Sequence, residues 1–113
     1  MNVLIVEDEP KVLNLLTSHF QSQGHQVTGY DSGEGALSHL QQHSPPDMLL
    51  VDVFLKGKVD GIRVLHHARQ VNPRVKAIVI TGSDDVSRED VSRLDAAFLK
   101  KPIRLEELDH LVK

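Results

Sequence analysis

Glu7, Asp8 and Glu9 follow directly on the apolar run Val3-Leu4-Ile5-Val6, and Asp52 lies inside a second apolar run, Met48 to Val53. An unpaired carboxylate among apolar neighbours costs several kcal/mol, so packing alone does not account for Asp52. Thr81 follows a further apolar run, and Lys101, with Pro102 after it, follows the last. If those runs are strands of one sheet, four strand ends bring Glu7, Asp8, Asp52, Thr81 and Lys101 into one polar cluster. Carboxylates held together repel and raise each other's affinity for a proton or a cation. Three carboxylates and one ammonium leave two negative charges, which a single hard divalent cation neutralises, and oxygen ligands with retained waters suit Mg²⁺.

The elements that must position these groups are legible in the spacing. Apolar runs at Val3–Val6, Gln26–Tyr30, Met48–Val53, Ala77–Ile80 and Ala97–Leu99 start roughly 20 to 30 residues apart, a strand-and-helix rhythm. Between them, Lys11–Gln23 places Val12, Leu13, Leu16 and Phe20 on one helical face, with Gly24 just past its end. Ser32–His43 predicts a second helix on Ala36, Leu37 and Leu40, stopped by Pro45-Pro46. Ile62, Leu65, Ala68 and Val71 mark a third, and Leu105, Leu108 and Val112 a fifth. The stretch from Asp84 to Leu94 should hold the fourth, short or mobile, because Val86, Val91 and Leu94 give it a thin apolar stripe. A run such as Met48-Leu49-Leu50-Val51, apolar at every position, indicates a strand buried on both faces. The expectation is a (βα)₅ doubly wound α/β domain, whose ligand site lies beyond the carboxyl ends of its parallel strands.

Composition narrows the function. A length of 113 residues allows one core. Thirteen Lys and Arg interspersed with sixteen Asp and Glu provide no basic face, which predicts no direct nucleic-acid binding. The absence of cysteine excludes disulfides and thiolate metal sites. The first apolar run is too short for a membrane span or signal segment, so a cytoplasmic protein without a membrane partner is expected.

These residues and their neighbours resemble the receiver domain of two-component response regulators, from Val3 to about Val112. "VLIVEDEP" is similar to that family's first strand and acidic pair, "MLLVDV" to its phospho-acceptor strand, "IVITG" to its switch-hydroxyl strand and "AFLKKPI" to its lysine-proline strand end. The resemblance implies a flavodoxin-like strand order 2-1-3-4-5 and a single receiver domain over 1–113, with any output domain outside this chain. It implies that Asp52 is the nucleophile taking a phosphoryl group from the phosphohistidine of a histidine kinase or His-phosphotransfer protein. Asp8 and Asp52 would then bind Mg²⁺ directly, Glu7 through a metal-bound water, and the Phe54 backbone carbonyl would complete the protein ligands. Lys101 would neutralise the phosphoryl oxygens, the Thr81 hydroxyl would be drawn in, and Phe98 would turn inward as the coupled aromatic. Such a domain catalyses only its own phosphorylation and slow dephosphorylation, and it can pair as a homodimer through the fourth-helix, fifth-strand and fifth-helix face. The last helix stops at Lys113, short of the usual receiver length, which fits either a piece of a larger regulator or a stand-alone receiver.

The chain departs from the family pattern after the acceptor. Lys56 holds the place of a customary proline, and Asp60-Gly61 arrives about one residue late, so the loop "FLKGKVDG" is expected to be longer and more mobile. Phe54, two beyond Asp52, cannot orient an attacking water, and Ser83, two beyond Thr81, is left as a weak second contributor; slow autodephosphorylation follows. Lys100 beside Lys101 is a competing cation that Pro102 decides against. Simpler readings exist for individual residues: Glu7-Asp8-Glu9 as an acidic helix start, Thr81 and Phe98 as ordinary strand residues, His66-His67 as helix surface. His39 and His43 are a possible ligand pair without a third ligand in sequence reach, and Gly33 and Gly35 lack the lysine that would make a phosphate loop. Among whole functions, the main competitor is a phosphorylation-independent receiver-like interaction module. A flavodoxin-like cofactor protein would need a phosphate cradle where three carboxylates stand, and an Asp-nucleophile phosphohydrolase would need a second acid where Phe54 stands.

Overall fold

The computed structural model describes residues 1–84 and 86–112. Asp85, within the stretch expected to hold the fourth helix, and Lys113 lie outside the described residues. Strands β1 (Asn2–Val6), β2 (Gln26–Tyr30), β3 (Met48–Asp52), β4 (Lys76–Thr81) and β5 (Ala97–Lys100) alternate with helices α1 (Pro10–Ser22), α2 (Gly33–Gln42), α3 (Gly61–Val71), α4 (Arg88–Ser92) and α5 (Leu105–Val112). All strand pairs are parallel, in the order β2-β1-β3-β4-β5. The (βα)₅ doubly wound architecture and its strand order are therefore those expected.

Alternation along the strands feeds two cores. Leu4, Val6, Leu49, Val51 and Val79 pack on Ala36, Leu40, Val64, Leu65, Ala68 and Val91 of α2, α3 and α4. Val3, Ile5, Met48, Leu50, Ile78 and Ile80 face Leu16 and Phe20 of α1 and Leu108 of α5. β3 lies between them with all five residues buried, as a continuous apolar run requires.

Helix ends are set by local chemistry. Pro10 occupies the first turn of α1, where a missing N–H costs nothing. Past its other end, Gly24 takes the left-handed conformation at φ +87°. The Ser32 hydroxyl accepts the Gly35 N–H at 3.1 Å, and the Asp60 carboxylate accepts the Arg63 N–H at 2.9 Å. α4 is short, five residues, as its thin stripe predicts, and is started by a capping box between Ser87 and Asp90. It is held at both ends: Arg88 lies over the Phe98 ring, 5.3 Å from the centroid, while the Arg69 guanidinium donates to the carbonyls of Leu94 and Asp95. No described helix is long and apolar enough to cross a membrane.

Candidate functional site

The carboxyl ends of β1, β3, β4 and β5 meet in an open cleft lined by Asp8, Glu9, Asp52, Phe54, Leu55, Lys56, Asp60, Thr81, Gly82, Ser83 and Lys101. Register explains the meeting: Val6 pairs with Val51, Asp52 with Ile80 and Thr81 with Lys100, so the first residues past each strand arrive at one level. Glu7 and Thr81 are fully buried, and Asp52 is nearly so at 5% exposure. Such burial of carboxylates needs partners.

Lys101 is the main one. Its Nζ donates to Asp52 Oδ2 at 2.8 Å, Glu9 Oε1 at 2.9 Å and Glu7 Oε1 at 3.0 Å. Burial works against the ammonium, but these three carboxylates outweigh it and hold Lys101 above the ordinary lysine range. Lys100 instead pairs with the exposed Asp84, so of the two neighbouring lysines it is Lys101 that reaches the acidic cluster. The other oxygens are held by main chain: the Phe54 N–H donates to Asp52 Oδ1 at 3.0 Å and the Lys56 N–H to Asp8 Oδ2 at 3.0 Å. Glu7 Oε1 also accepts the Glu9 N–H at 3.0 Å, whereas Glu7 Oε2 is buried with no hydrogen-bond partner among the described residues. Burial accordingly pushes the Glu7 carboxyl up to about 7, with the neighbouring Asp52 charge adding to the rise and the Glu9 N–H and Lys101 opposing it.

Glu7, Asp8 and Asp52 each offer an oxygen within 4.8 Å of the others. An all-oxygen donor set, a surplus of negative charge and an orphaned buried acceptor fit a hard divalent cation. The set suits Mg²⁺ better than a softer metal, since no thiolate or imidazole is among the donors.

Of the residues singled out in the sequence, Asp8, Asp52, Phe54, Thr81, Ser83 and Lys101 line the cleft, and the buried Glu7 joins them through its bond to Lys101. Ser83 meets Thr81 through its backbone, its N–H donating to the Thr81 hydroxyl oxygen at 3.0 Å. The Phe54 side chain is 54% exposed and turned to solvent. Phe98 is not in the cleft: its ring packs into the α2–α3–α4 core under Arg88. His39 and His43 stack with centroids 4.4 Å apart, His39 Nδ1 lies 3.0 Å from the Tyr30 hydroxyl, and neither histidine belongs to the acidic donor set. Sequence reading missed Glu9 as a partner of Lys101, although Glu9 sits in the same acidic triplet. It also missed the backbone N–H of Lys56, for which side-chain patterns carry no signal.

A doubly wound parallel sheet with an acidic cleft at its carboxyl edge, crossed by one lysine, defines the class. The chain belongs to the response regulator receiver domain family, whose model matches residues 3–113. It is 32% identical over 109 residues to the response regulator receiver protein CpdR of Brucella abortus (strain 2308), covering 94% of this chain and 88% of that protein. It is 33% identical over 114 residues to the transcriptional regulatory protein MalR of Bacillus subtilis (strain 168), covering all of this chain but only 44% of that protein. Among solved structures, the signal receiver domain of a modulated diguanylate cyclase from Desulfovibrio desulfuricans G20 superposes with a TM-score of 0.82 at 31% identity, over 98% of this chain and 89% of that one.

Proposed function

We propose that this receiver domain carries a phosphoryl group on Asp52, taken from the phosphohistidine of a histidine kinase or His-phosphotransfer protein, and that Mg²⁺ is its cofactor. The observation that carries this reading is the placement of Asp52: a carboxylate at the end of the central strand, with Lys101 on one oxygen and the Glu7 and Asp8 oxygens within 4.8 Å. Asp8 and Asp52 would hold the ion directly, Glu7 through water, and the Phe54 carbonyl would add a main-chain ligand. Bound there, the ion offsets negative charge on the transferring group.

The remaining work belongs to the chain itself. An Asp52 oxygen attacks phosphorus, the P–N bond to the donor imidazole breaks, and the electron pair stays on the imidazole nitrogen. Lys101, already 2.8 Å from Asp52, pairs with a phosphoryl oxygen and releases Glu7 and Glu9 from its grip. The Thr81 hydroxyl, fully buried beside the cleft, donates to another. Two or three such charge-assisted bonds, each about 1.5 to 3 kcal/mol, cover the roughly 3 to 5 kcal/mol needed to move a two-state domain. Phe98, on the neighbouring strand under Arg88, is the group through which the change would reach α4 and the β5–α5 face, the surface proposed for an output domain or a second copy. The domain turns over no external substrate beyond its own phosphoryl group, and a cytoplasmic setting without direct nucleic-acid or membrane contact suits these partners. The unit proposed for this role is the whole chain, 1–113.

The test is intact-protein mass after incubation with Mg²⁺ and acetyl phosphate, comparing wild type with Asp52→Ala. One phosphate adduct on wild type and none on the variant is expected. An adduct that survives in Asp52→Ala would move the acceptor elsewhere, and a folded wild type that takes no adduct would favour a phosphorylation-independent interaction module. Followed over time, the adduct should decay slowly, because Phe54 offers no polar group to an attacking water and Ser83 engages Thr81 by its backbone.

A further inference from the structure

The loop between β3 and α3 is where this chain departs most from its family's pattern, and its backbone reaches into the proposed site. Phe54 N–H fixes Asp52, Lys56 N–H fixes Asp8, and Asp60 caps α3. Between Lys56 and Asp60, the tie comes from outside the loop. The Val59 N–H donates at 2.9 Å to Glu34 Oε1, in the first turn of α2. The same carboxylate lies against Gly57, where an added Cβ would stand 2.7 Å from Glu34 Oε2; Gly57 also has φ +100°. On the helix side, a Cβ on Gly33 would stand 2.4 Å from the Val59 carbonyl oxygen. Two glycines, one on each partner, thus let helix and loop close on each other, and Val59 is buried at the junction.

The geometry points to Glu34 as a positioning residue for the proposed metal site: from α2 its carboxylate fastens the loop whose main chain holds Asp8 and Asp52. The inference rests on the reading of that cluster as a Mg²⁺ site. A carboxylate at a helix N-terminus is favourably placed, and its bond to an N–H is charge-assisted, so the tie is worth keeping even at a half-exposed junction. Without it, the stretch from 57 to 59 loses its anchor, the Lys56 N–H and Phe54 carbonyl sample more positions, and the donor set is no longer preorganised.

Glu34→Ala and Glu34→Gln in the full chain test this, by Mg²⁺ titration together with amide hydrogen exchange read by NMR, at a temperature where melts show all three proteins folded. Glu34→Ala should lose about tenfold in Mg²⁺ affinity, the lower end of what lost outer-shell support costs a metal site, and its Val59 amide should exchange faster. Glu34→Gln keeps an acceptor oxygen and should restore most of both, which a general loss of stability would not reproduce. Unchanged Mg²⁺ affinity in Glu34→Ala would overturn the role of Glu34 while leaving the site intact. A wild type that binds no Mg²⁺ would instead remove the metal site, and this inference with it.

Discussion

At the scale of single residues, Glu7 sets the clearest expectation. Its carboxyl is raised from 4.5 to about 7 by burial, so the folded chain keeps a proton that the unfolded chain has released. A group raised in the folded state contributes stability below its unfolded value and loses that contribution as pH rises through its folded value. The metal-free protein should therefore weaken as pH climbs through about 7. A cation at the cluster competes with the same proton, so Mg²⁺ affinity should rise up to about pH 7 and level off above it. Calorimetric titration in buffers of different ionisation enthalpy checks this by counting the proton released; affinity flat across pH 6 to 8 would contradict it. The meeting of Asp8, Asp52 and Lys101 was legible in the sequence because Asp52 interrupts an apolar strand and Asp8 and Lys101 stand just past the ends of two others. Glu9, Lys56 and Glu34 were not, because their contributions depend on which backbone N–H or ammonium the fold brings near them, and residue type alone does not encode that.

Among the elements, α3 and the loop before it matter most. The first turn of α3 approaches the acceptor so closely that a Cβ on Gly61 would stand 1.9 Å from the Asp52 carbonyl oxygen, and the Gly61 N–H donates to Val53 O at 3.0 Å. Gly61→Ala must push the helix or β3 aside, costing about 1 to 3 kcal/mol by the usual penalty for overpacking. Urea unfolding should show that loss, and the phosphate adduct on Asp52 should form more slowly in the same variant. The five strands and four of the helices were readable to within about a residue or two because their apolar periods were clean. The fourth was readable only as short: Val91 alone reaches full burial, and the anchors Arg88 on Phe98 and Arg69 on the Leu94 and Asp95 carbonyls are tertiary contacts.

For the molecule as a whole, one sheet serves two cores, so neither face can fail alone. Leu49 and Leu50 are neighbours in β3, fully buried on opposite faces. Leu49→Ala and Leu50→Ala should each cost about 2 to 5 kcal/mol, and each should melt in a single transition by circular dichroism; separate transitions for the two faces would contradict a shared sheet. The order β2-β1-β3-β4-β5 also gives the domain a sidedness. Asp52 ends the middle strand, Thr81 the next one over, Phe98 belongs to the outermost strand on that side, and Lys101 is the first residue past it. If Asp52 carries the phosphoryl group as proposed, a message begun there would travel sideways across the hydrogen-bond ladder toward β5, with the β2 edge on the other side of the sheet. That edge is the berth for a dye, a tether or a fused partner, since cargo moored there rides along without touching the traffic on the opposite flank.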